Sequence, residues 1–309
     1  KKPSEVLTVG DTVRAVVLNT KDNRISLSIK ALLNDSQAEE EEDDRTRVAI
    51  VGKPNVGKSS LINKLLGENR LIVSDIAGTT RDAVDTEITY NGKEYVFIDT
   101  AGLRRKNKIK EELERYMIVR TVSAVERAEV VVLMIDAEEG VTEQDAKIAG
   151  IAHDRGKGVI VVVNKWDAIE KNDKTIYEYT RKLKETLSYM PYAEYIFVSA
   201  LTGQRMEKLF ELIDMVRENQ TLRVATGVLN EIVTEAVAMQ QPPSDKGKRL
   251  KIYYVTQVAV KPPTFVIFVN DKELMHFSYT RYLENKIREA FGFRGTSLKF
   301  IIRERKEKD

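Results

Sequence analysis

Short apolar runs alternate with amphipathic stretches through the middle of the chain. The runs are unbroken and rich in β-branched residues, which is the pattern of strands buried on both faces of a parallel sheet. They lie at 48–51, 95–98, 130–135, 159–163 and 195–198. Helical periodicity fills the gaps, and one helix begins where Thr142 and Asp145 are spaced as a capping pair. Residues 45–219 are therefore predicted to form an α/β domain with a mostly parallel sheet and helices on both faces.

One antiparallel pair is predicted within this sheet. Asn91 and Gly92 stand between apolar segments at 88–90 and 95–98, and Asn-Gly is a strong signal for a two-residue hairpin. In open α/β sheets, ligands bind at the carboxyl ends of the parallel strands. Candidate chemistry is therefore expected where those strands end.

The pattern changes towards the C-terminus. A helix at 225–239 leads to a Pro- and Gly-rich loop at 241–247. Two strands, a helix and a last strand follow at 250–260, 264–270, 278–291 and 297–303. This α-β-β-α-β unit predicts a separate small α+β domain over 220–309. Met239, Phe265 and Phe268 are predicted to lie in its core rather than to contact a ligand.

The first 44 residues have a different organisation. Residues 39–44 are an unbroken acidic run, which predicts a solvated linker. Before it, 11–19 and 24–30 read as two strands of a hairpin. A hairpin alone is only marginally stable, so this piece is predicted either to need a partner or to belong to a larger barrel. Residues 1–44 are therefore predicted to be a partial barrel hairpin followed by the acidic linker.

A complete phosphate-binding motif follows the first apolar run. Residues 52–59 read G-x-x-x-x-G-K-S between a strand and a helical pattern. In such a loop backbone N–H groups wrap the phosphates, while Lys58 reaches the β and γ oxygens and Ser59 ligates magnesium. The predicted nucleotide contacts are Gly52, Lys53, Pro54, Asn55, Val56, Gly57, Lys58, Ser59 and Ser60.

Two further segments are predicted to contact the metal and the γ-phosphate. Asp-Thr-Ala-Gly at 99–102 ends a second strand, where Asp99 would hold magnesium through water and the Gly102 N–H would sense the γ-phosphate. The loop at 78–82 lies earlier and carries two adjacent threonines, of which the second, Thr80, is chosen to reach the metal. The nucleotide contacts assigned here are Asp99, Thr100, Ala101, Gly102 and Leu103.

The segment Asn-Lys-Trp-Asp at 164–167 predicts which base is bound. A carboxylate in the plane of guanine accepts hydrogen bonds from its ring N–H and exocyclic amine, whereas adenine would leave that carboxylate unpaired. Asp167 therefore disfavours a plain ATPase. The triplet at 199–201 follows another strand and could offer a backbone N–H to the guanine carbonyl. The predicted base-side contacts are Asn164, Lys165, Asp167, Ser199, Ala200 and Leu201.

Composition narrows the class further. The 309 residues carry a net charge of +2 and no cysteine, which excludes disulfides and thiolate metal sites and fits a reducing compartment. No apolar run approaches the ~18 residues of a membrane span. The two histidines, His153 and His276, are interpreted as structural or surface residues. Residues 220–309 hold 16 Lys and Arg against 10 Asp and Glu, consistent with either a nucleic-acid surface or a solvated charged face.

The chain from about residue 39 to 308 resembles the second half of the Der (EngA) family of bacterial ribosome-assembly GTPases. Besides the nucleotide motifs, the segments 73–82, 249–254, 261–266 and 270–279 look like that family. The last three segments lie in the KH-like C-terminal domain of that family. They distinguish the Der family from the related Era and MnmE families. The resemblance implies a Ras-like P-loop GTPase domain followed by a KH-like domain. It also implies GTP or GDP with Mg²⁺, a cytoplasmic location, and nucleotide-dependent binding to the large ribosomal subunit and its rRNA.

Two features depart from the family pattern. The family has two tandem G domains, whereas this chain has one. Residues 1–33 stand where the family has its first G domain. They resemble the last two strands of an S-one-type OB domain, a barrel that needs five strands. Separately, Gly292 to Gly295 has the GxxG spacing of RNA-clamping KH loops, but it precedes the final strand and is interpreted as a chance turn. A monomer is expected.

Leu103 stands where Ras-type enzymes place the glutamine that orients water. Charge stabilisation must then come from elsewhere, and the family resemblance suggests K⁺ held by Asn55 and completed by residues 74–79. The resulting hypothesis is a slow, potassium-stimulated GTPase. Its catalytic residues are Lys58, Thr80, Gly102 and Asn55. The alternative is an RNA- or ribosome-binding module whose G domain senses nucleotide with little turnover.

Overall fold

The computed structural model describes residues 16–21, 24–28, 44–67, 71–74, 85–100, 113–242, 244–245 and 247–305. Two units separate at the predicted linker, 1–44 and 45–309. In the first unit, β1 (Val16–Lys21) and β2 (Arg24–Ser28) pair in antiparallel fashion. The pair of strands predicted there is therefore confirmed.

A seven-stranded sheet forms the centre of the second unit, as far as that unit is described. Its strands are β3 (Thr46–Val51), β4 (Leu71–Ser74), β5 (Thr86–Tyr90), β6 (Lys93–Ile98), β7 (Val130–Asp136), β8 (Gly158–Asn164) and β9 (Glu194–Phe197). The spatial order is β4-β5-β6-β3-β7-β8-β9, and only the β4–β5 and β5–β6 pairs are antiparallel. Asn91 and Gly92 turn the predicted hairpin with φ of 50° and 78°. The edge strand β4 adds a second antiparallel pair that the sequence pattern did not predict.

Helices cover both faces of this sheet. They are α1 (Lys58–Leu66), α2 (Leu113–Arg127), α3 (Glu143–Asp154), α4 (Thr175–Thr186) and α5 (Met206–Thr221). Helices α1 and α5 pack on one face in one apolar cluster, and α2, α3 and α4 pack on the other. Every residue of β7 and β8 is buried, which explains why those strands read as unbroken apolar runs. The predicted α/β class is confirmed.

The C-terminal part forms a second, smaller sheet with two helices on one face. Its elements are α6 (Thr226–Met239), β10 (Ser244–Asp245), β11 (Lys248–Arg249), β12 (Ile252–Ala259), β13 (Thr264–Val269), α7 (Phe277–Phe291) and β14 (Lys299–Glu304). Strand β13 lies between β12, antiparallel, and β14, parallel. The α-β-β-α-β order is confirmed, with a short β10–β11 hairpin that begins in the predicted loop and ends just after it. Phe265 is buried as predicted, and Phe268 is half-buried, with its ring stacked 4.3 Å from that of Tyr254. The core assignment of Met239 is wrong because this last helical residue is 74% exposed.

The turn at residues 292–295 joins the two parts of the second unit. The Val159 N–H donates to the Gly295 carbonyl at 2.7 Å, and the Gly295 N–H donates to the Tyr192 carbonyl at 2.8 Å. Gly295 has φ of +73°, and a Cβ there would lie 2.2 Å from Cγ2 of Val216. The turn is therefore a packed contact with the larger domain, and its interpretation as a chance match to the RNA-clamping spacing stays a prediction.

Ion pairs surround this contact. Lys261 and Arg217 both face Glu129, which directly precedes β7, and Arg294 pairs with Glu194 at the start of β9 with its closest atoms 2.7 Å apart. Glu129 and Glu194 lie at the amino ends of the parallel strands β7 and β9. The nucleotide motifs lie at the carboxyl ends of the parallel strands. The C-terminal sheet therefore docks at the opposite end of the larger sheet.

Candidate functional site

The phosphate loop links the end of β3 to the start of α1. Gly52 and Gly57 take φ of +144° and +94°, and a Cβ on either would collide with its neighbour. At Gly52 it would lie 2.4 Å from the Met134 carbonyl oxygen, and at Gly57 2.2 Å from Nδ2 of Asn164. Gly57 caps α1 without any side-chain hydrogen bond. The first N–H groups of that helix therefore face the loop and suit an anion.

Lys58 folds back into this loop. Its ammonium donates to the Gly52 carbonyl at 2.6 Å and also to the Lys53 carbonyl. Burial lowers the pKa of Lys58 to about 8, against the opposing charge of Asp145. The amine therefore sits inside the curve of the loop, where a phosphate would meet it together with the helix N–H groups.

Asn164 is the connecting residue of the site. It ends β8 and is only 2% exposed. Its Nδ2 donates to the Val56 carbonyl at 2.8 Å, and its Oδ1 accepts from the Ala200 N–H at 2.9 Å. The side chain thereby ties the phosphate loop to the segment at 199–201, so the two ends of the predicted nucleotide site share one hydrogen-bonded residue.

Of the remaining residues predicted to contact the base, some are buried in the core and others are exposed. Trp166 is 1% exposed and packs between Tyr179 and Phe197, which fixes the segment in the core. Asp167 beside it is exposed, so its carboxylate is free to meet a base. Lys165 has φ of 60° and pairs with Asp136 at 2.5 Å.

In the 199–201 segment, Ser199 is buried and its Oγ accepts from the Thr202 N–H at 3.0 Å. Leu201 is 81% exposed. Ser199 and Ala200 are thus buried, whereas Leu201 and Thr202 lie at the surface. The predicted base-side segments are therefore brought to one end of the sheet.

The residues predicted to hold magnesium are positioned by hydrogen bonds and an ion pair. Asp99 follows β6, its N–H donates to Oδ1 of Asp85 at 2.9 Å, and its carboxylate pairs with Arg120 of α2. Ser59 is exposed at the start of α1, and buried Thr100 lies with its Oγ1 2.5 Å from Oγ1 of Thr86. The sequence alone did not reveal Arg120 or Asp85, because neither belongs to a motif of fixed spacing.

A hydroxyl and a carboxylate are the oxygen ligands that Mg²⁺ prefers, so Ser59 and Asp99 fit such an ion. Where the chain is described, no group of three or more His, Asp or Glu side chains could hold a metal by itself. Phosphate and water oxygens would therefore have to complete the coordination. The predicted contacts Thr80, Ala101, Gly102 and Leu103 lie outside the described residues.

Fold and site together define a P-loop GTPase domain followed by a KH-like domain. The family described as 50S ribosome-binding GTPase matches residues 47–165, and the KH-domain-like family of EngA bacterial GTPase enzymes matches 223–303. The chain belongs to the Der family of GTPases, of which it contains one G domain and the C-terminal KH-like domain.

Relatives support this membership. GTPase Der of Lachnoclostridium phytofermentans is 78% identical over 271 residues, which are 88% of this chain and 62% of that protein. GTPase Der of Agathobacter rectalis is 76% identical over 89% of this chain and 62% of its own length. The chain thus spans about three fifths of the length of these relatives.

Among solved structures, one of Era with MgGDPNP and a 16S ribosomal RNA segment is 25% identical, covering 85% of this chain and 94% of that one. Its TM-score is 0.43. No helix within the described residues is long and apolar enough to cross a membrane.

Proposed function

We propose that this chain binds GTP and GDP and hydrolyses GTP. The observation that carries the proposal is the bridge made by Asn164 between the phosphate loop and the 199–201 segment, with Asp167 exposed beside it. This geometry couples phosphate binding to base recognition at one end of the sheet. Equilibrium titration with fluorescent GDP and ADP tests it directly. Binding of GDP with at least about 100-fold preference is expected, and equal affinities would refute the guanine assignment.

Separate residues of this chain are assigned to the phosphates, the base and the magnesium ion. Lys58 and the N–H groups at the start of α1 bind the phosphates, and Asp167 accepts hydrogen bonds from guanine. Ser59, Asp99 and Thr80 would hold magnesium, which supplies neutralising charge on the phosphate oxygens when bound. For Asp99 this requires that the Arg120 side chain release the carboxylate. Gly102 is assigned to the γ-phosphate by its place in the Asp-Thr-Ala-Gly motif.

The hydrolysis rate is proposed to be slow and potassium-stimulated. Asn55 lies exposed in the phosphate loop with φ of 63°, so its polar groups are open to a monovalent ion there. Such an ion would offset charge that builds up between the β and γ phosphates. GTP turnover in matched potassium and sodium buffers checks this: faster turnover in potassium is expected, while equal rates would remove Asn55 from the mechanism.

The partner is proposed to be the large ribosomal subunit during its assembly, bound in the cytoplasm by a monomer. Support comes from the family membership and from the basic excess of residues 220–309. Co-sedimentation with large subunits, in the presence of a GTP analogue or of GDP, measures it. Retention that depends on the analogue is expected, and equal retention in both states would contradict a nucleotide switch.

A second candidate is a binding module with little turnover. Docking of the KH-like domain at the end of the sheet opposite to the nucleotide motifs favours it, since the contacts at Glu129 and Gly295 involve no predicted nucleotide ligand. Turnover measured with and without large subunits separates the two candidates. Subunit binding without any turnover in either condition would favour the module.

A further inference from the structure

Lys53 of the phosphate loop points into the protein. Its neighbours Pro54 and Asn55 are exposed, whereas Lys53 is 7% and Val56 1% exposed. Val56 enters the apolar cluster on the α1 side of the sheet. The lysine instead turns towards the loop and helix that follow β7, so the phosphate loop is fixed from inside by one apolar and one charged side chain.

Two carboxylates receive the Lys53 ammonium. Oε1 of Glu139 lies 2.6 Å from Nζ, and Oδ2 of Asp145 lies 3.7 Å from it. The Glu139 side chain is 57% exposed, whereas Asp145 is fully buried. Solvent weakens a pair with an exposed carboxylate, but a buried carboxylate and a buried cation depend on each other. Asp145 is therefore the partner whose removal leaves Lys53 with an uncompensated charge.

Capping of α3 accounts for only part of the environment of the Asp145 carboxylate. Its Oδ2 accepts from the Thr142 N–H at 3.0 Å and from the Thr142 hydroxyl at 2.7 Å, which closes the capping box of α3. Its Oδ1 is buried and has no hydrogen-bond partner among the described residues. A cap on a helix surface needs neither complete burial nor a lysine from another segment. The geometry thus combines a cap with a charge that faces the phosphate loop.

We propose that Asp145 is a positioning residue for nucleotide binding, acting through Lys53 to anchor the phosphate loop on the start of α3. The proposal rests on the proposed function, since it assumes that this loop binds nucleotide phosphates. The mechanical link is short: the Lys53 carbonyl accepts a hydrogen bond from Lys58. Movement of Lys53 therefore shifts an acceptor that holds the phosphate-binding ammonium.

Two single substitutions and their combination separate anchoring from capping. D145N keeps an oxygen for the Thr142 N–H and removes the charge. K53M keeps most of the side-chain length and removes the ammonium without touching the cap. K53M/D145N removes both charges, so neither is left buried alone. E139Q is the matched control because it removes the exposed partner of the same lysine.

The readouts are the dissociation constant for fluorescent GDP and the melting temperature of the nucleotide-free chain. Each single variant is expected to weaken GDP binding about tenfold, and the double variant to lose clearly less than the product of the two. E139Q is expected to stay within about threefold of wild type. T142A, which weakens the cap alone, is expected to lower the melting temperature with little change in the dissociation constant.

Unchanged GDP affinity in K53M, or losses that multiply in the double variant, would overturn the proposal while wild-type binding upholds the proposed function. Failure of the wild-type chain to bind GDP would overturn both. Should D145N not fold, K53M against E139Q still decides, because neither residue contributes to the α3 cap. Equal losses in those two variants would count against Asp145.

Discussion

At the scale of single residues, the site is held together by side chains whose partners are far away in sequence. Asn164 reaches Val56 and Ala200, which are 108 and 36 positions distant. The motif spacing predicted that Asn164 belongs to the site. It did not predict this bridging role, because a hydrogen bond between distant segments leaves no periodic signal in the sequence.

Replacement of Asn164 by alanine should destabilise the fold as well as weaken nucleotide binding. The Val56 carbonyl and the Ala200 N–H would be left without this partner in a buried site, at a cost of about 1–3 kcal/mol each. We expect the free energy of unfolding to fall by about 3 kcal/mol in urea titrations. The exposed Asn63 on α1 is the control, and N63A should stay within about 0.5 kcal/mol of wild type.

Asp167 should determine base choice without contributing to stability. It is exposed in this structure, so D167N should leave the melting temperature unchanged. An amide can donate to the second carbonyl of xanthine and cannot accept both hydrogen bonds from guanine. We expect GDP affinity to fall about 100-fold or more and XDP affinity to rise. D173N, a change at another exposed carboxylate, should alter neither, and an unchanged GDP preference in D167N would refute the assigned role.

At the scale of elements, the sequence pattern predicted strands and helices well where burial is complete. Strands β7 and β8 are buried throughout, and their unbroken apolar runs place them within a residue of the observed ends. The short edge strand β4 escaped prediction because four residues carry little periodicity. Arg120 on α2 was missed for a different reason, since an ion pair with Asp99 has no characteristic spacing.

Helix α5 should be held on the sheet mainly by Phe210. Its ring is 2% exposed and lies 4.3 Å from that of Tyr90 and 5.0 Å from that of Tyr95, measured between centroids. F210A would leave a cavity beside β5 and β6, and we expect a loss of about 3–5 kcal/mol in the free energy of unfolding. F277A removes a ring that is 71% exposed and should cost less than about 1 kcal/mol, and similar losses in both variants would argue against this packing role.

At the scale of the whole second unit, one end of the larger sheet carries the nucleotide motifs and the other carries the KH-like domain. Strand β8 reaches both: it begins next to Gly295 and ends at Asn164. Within the described residues, β8 therefore runs directly from the contact with the C-terminal domain to the nucleotide motifs. The position of this joint could not be predicted from sequence, because the turn at 292–295 resembled a nucleic-acid motif in spacing alone.

The contact between the two domains at residues 292–295 leads us to expect different effects for two glycines of that turn. Gly292 and Gly295 both have positive φ, of +88° and +73°, so alanine is strained at either position, at a cost of about 1–3 kcal/mol. Around Gly292 an added Cβ meets nothing within 4 Å, whereas at Gly295 it would collide with Val216 of α5. G295A should therefore lose more stability than G292A, by about 1–3 kcal/mol. It should also make the link between the domains more sensitive to limited proteolysis, because the hydrogen bonds to Val159 and Tyr192 have to lengthen. Equal stability and equal cleavage in the two variants would mean that the domains are held together by the ion pairs at Glu129 and Glu194 instead.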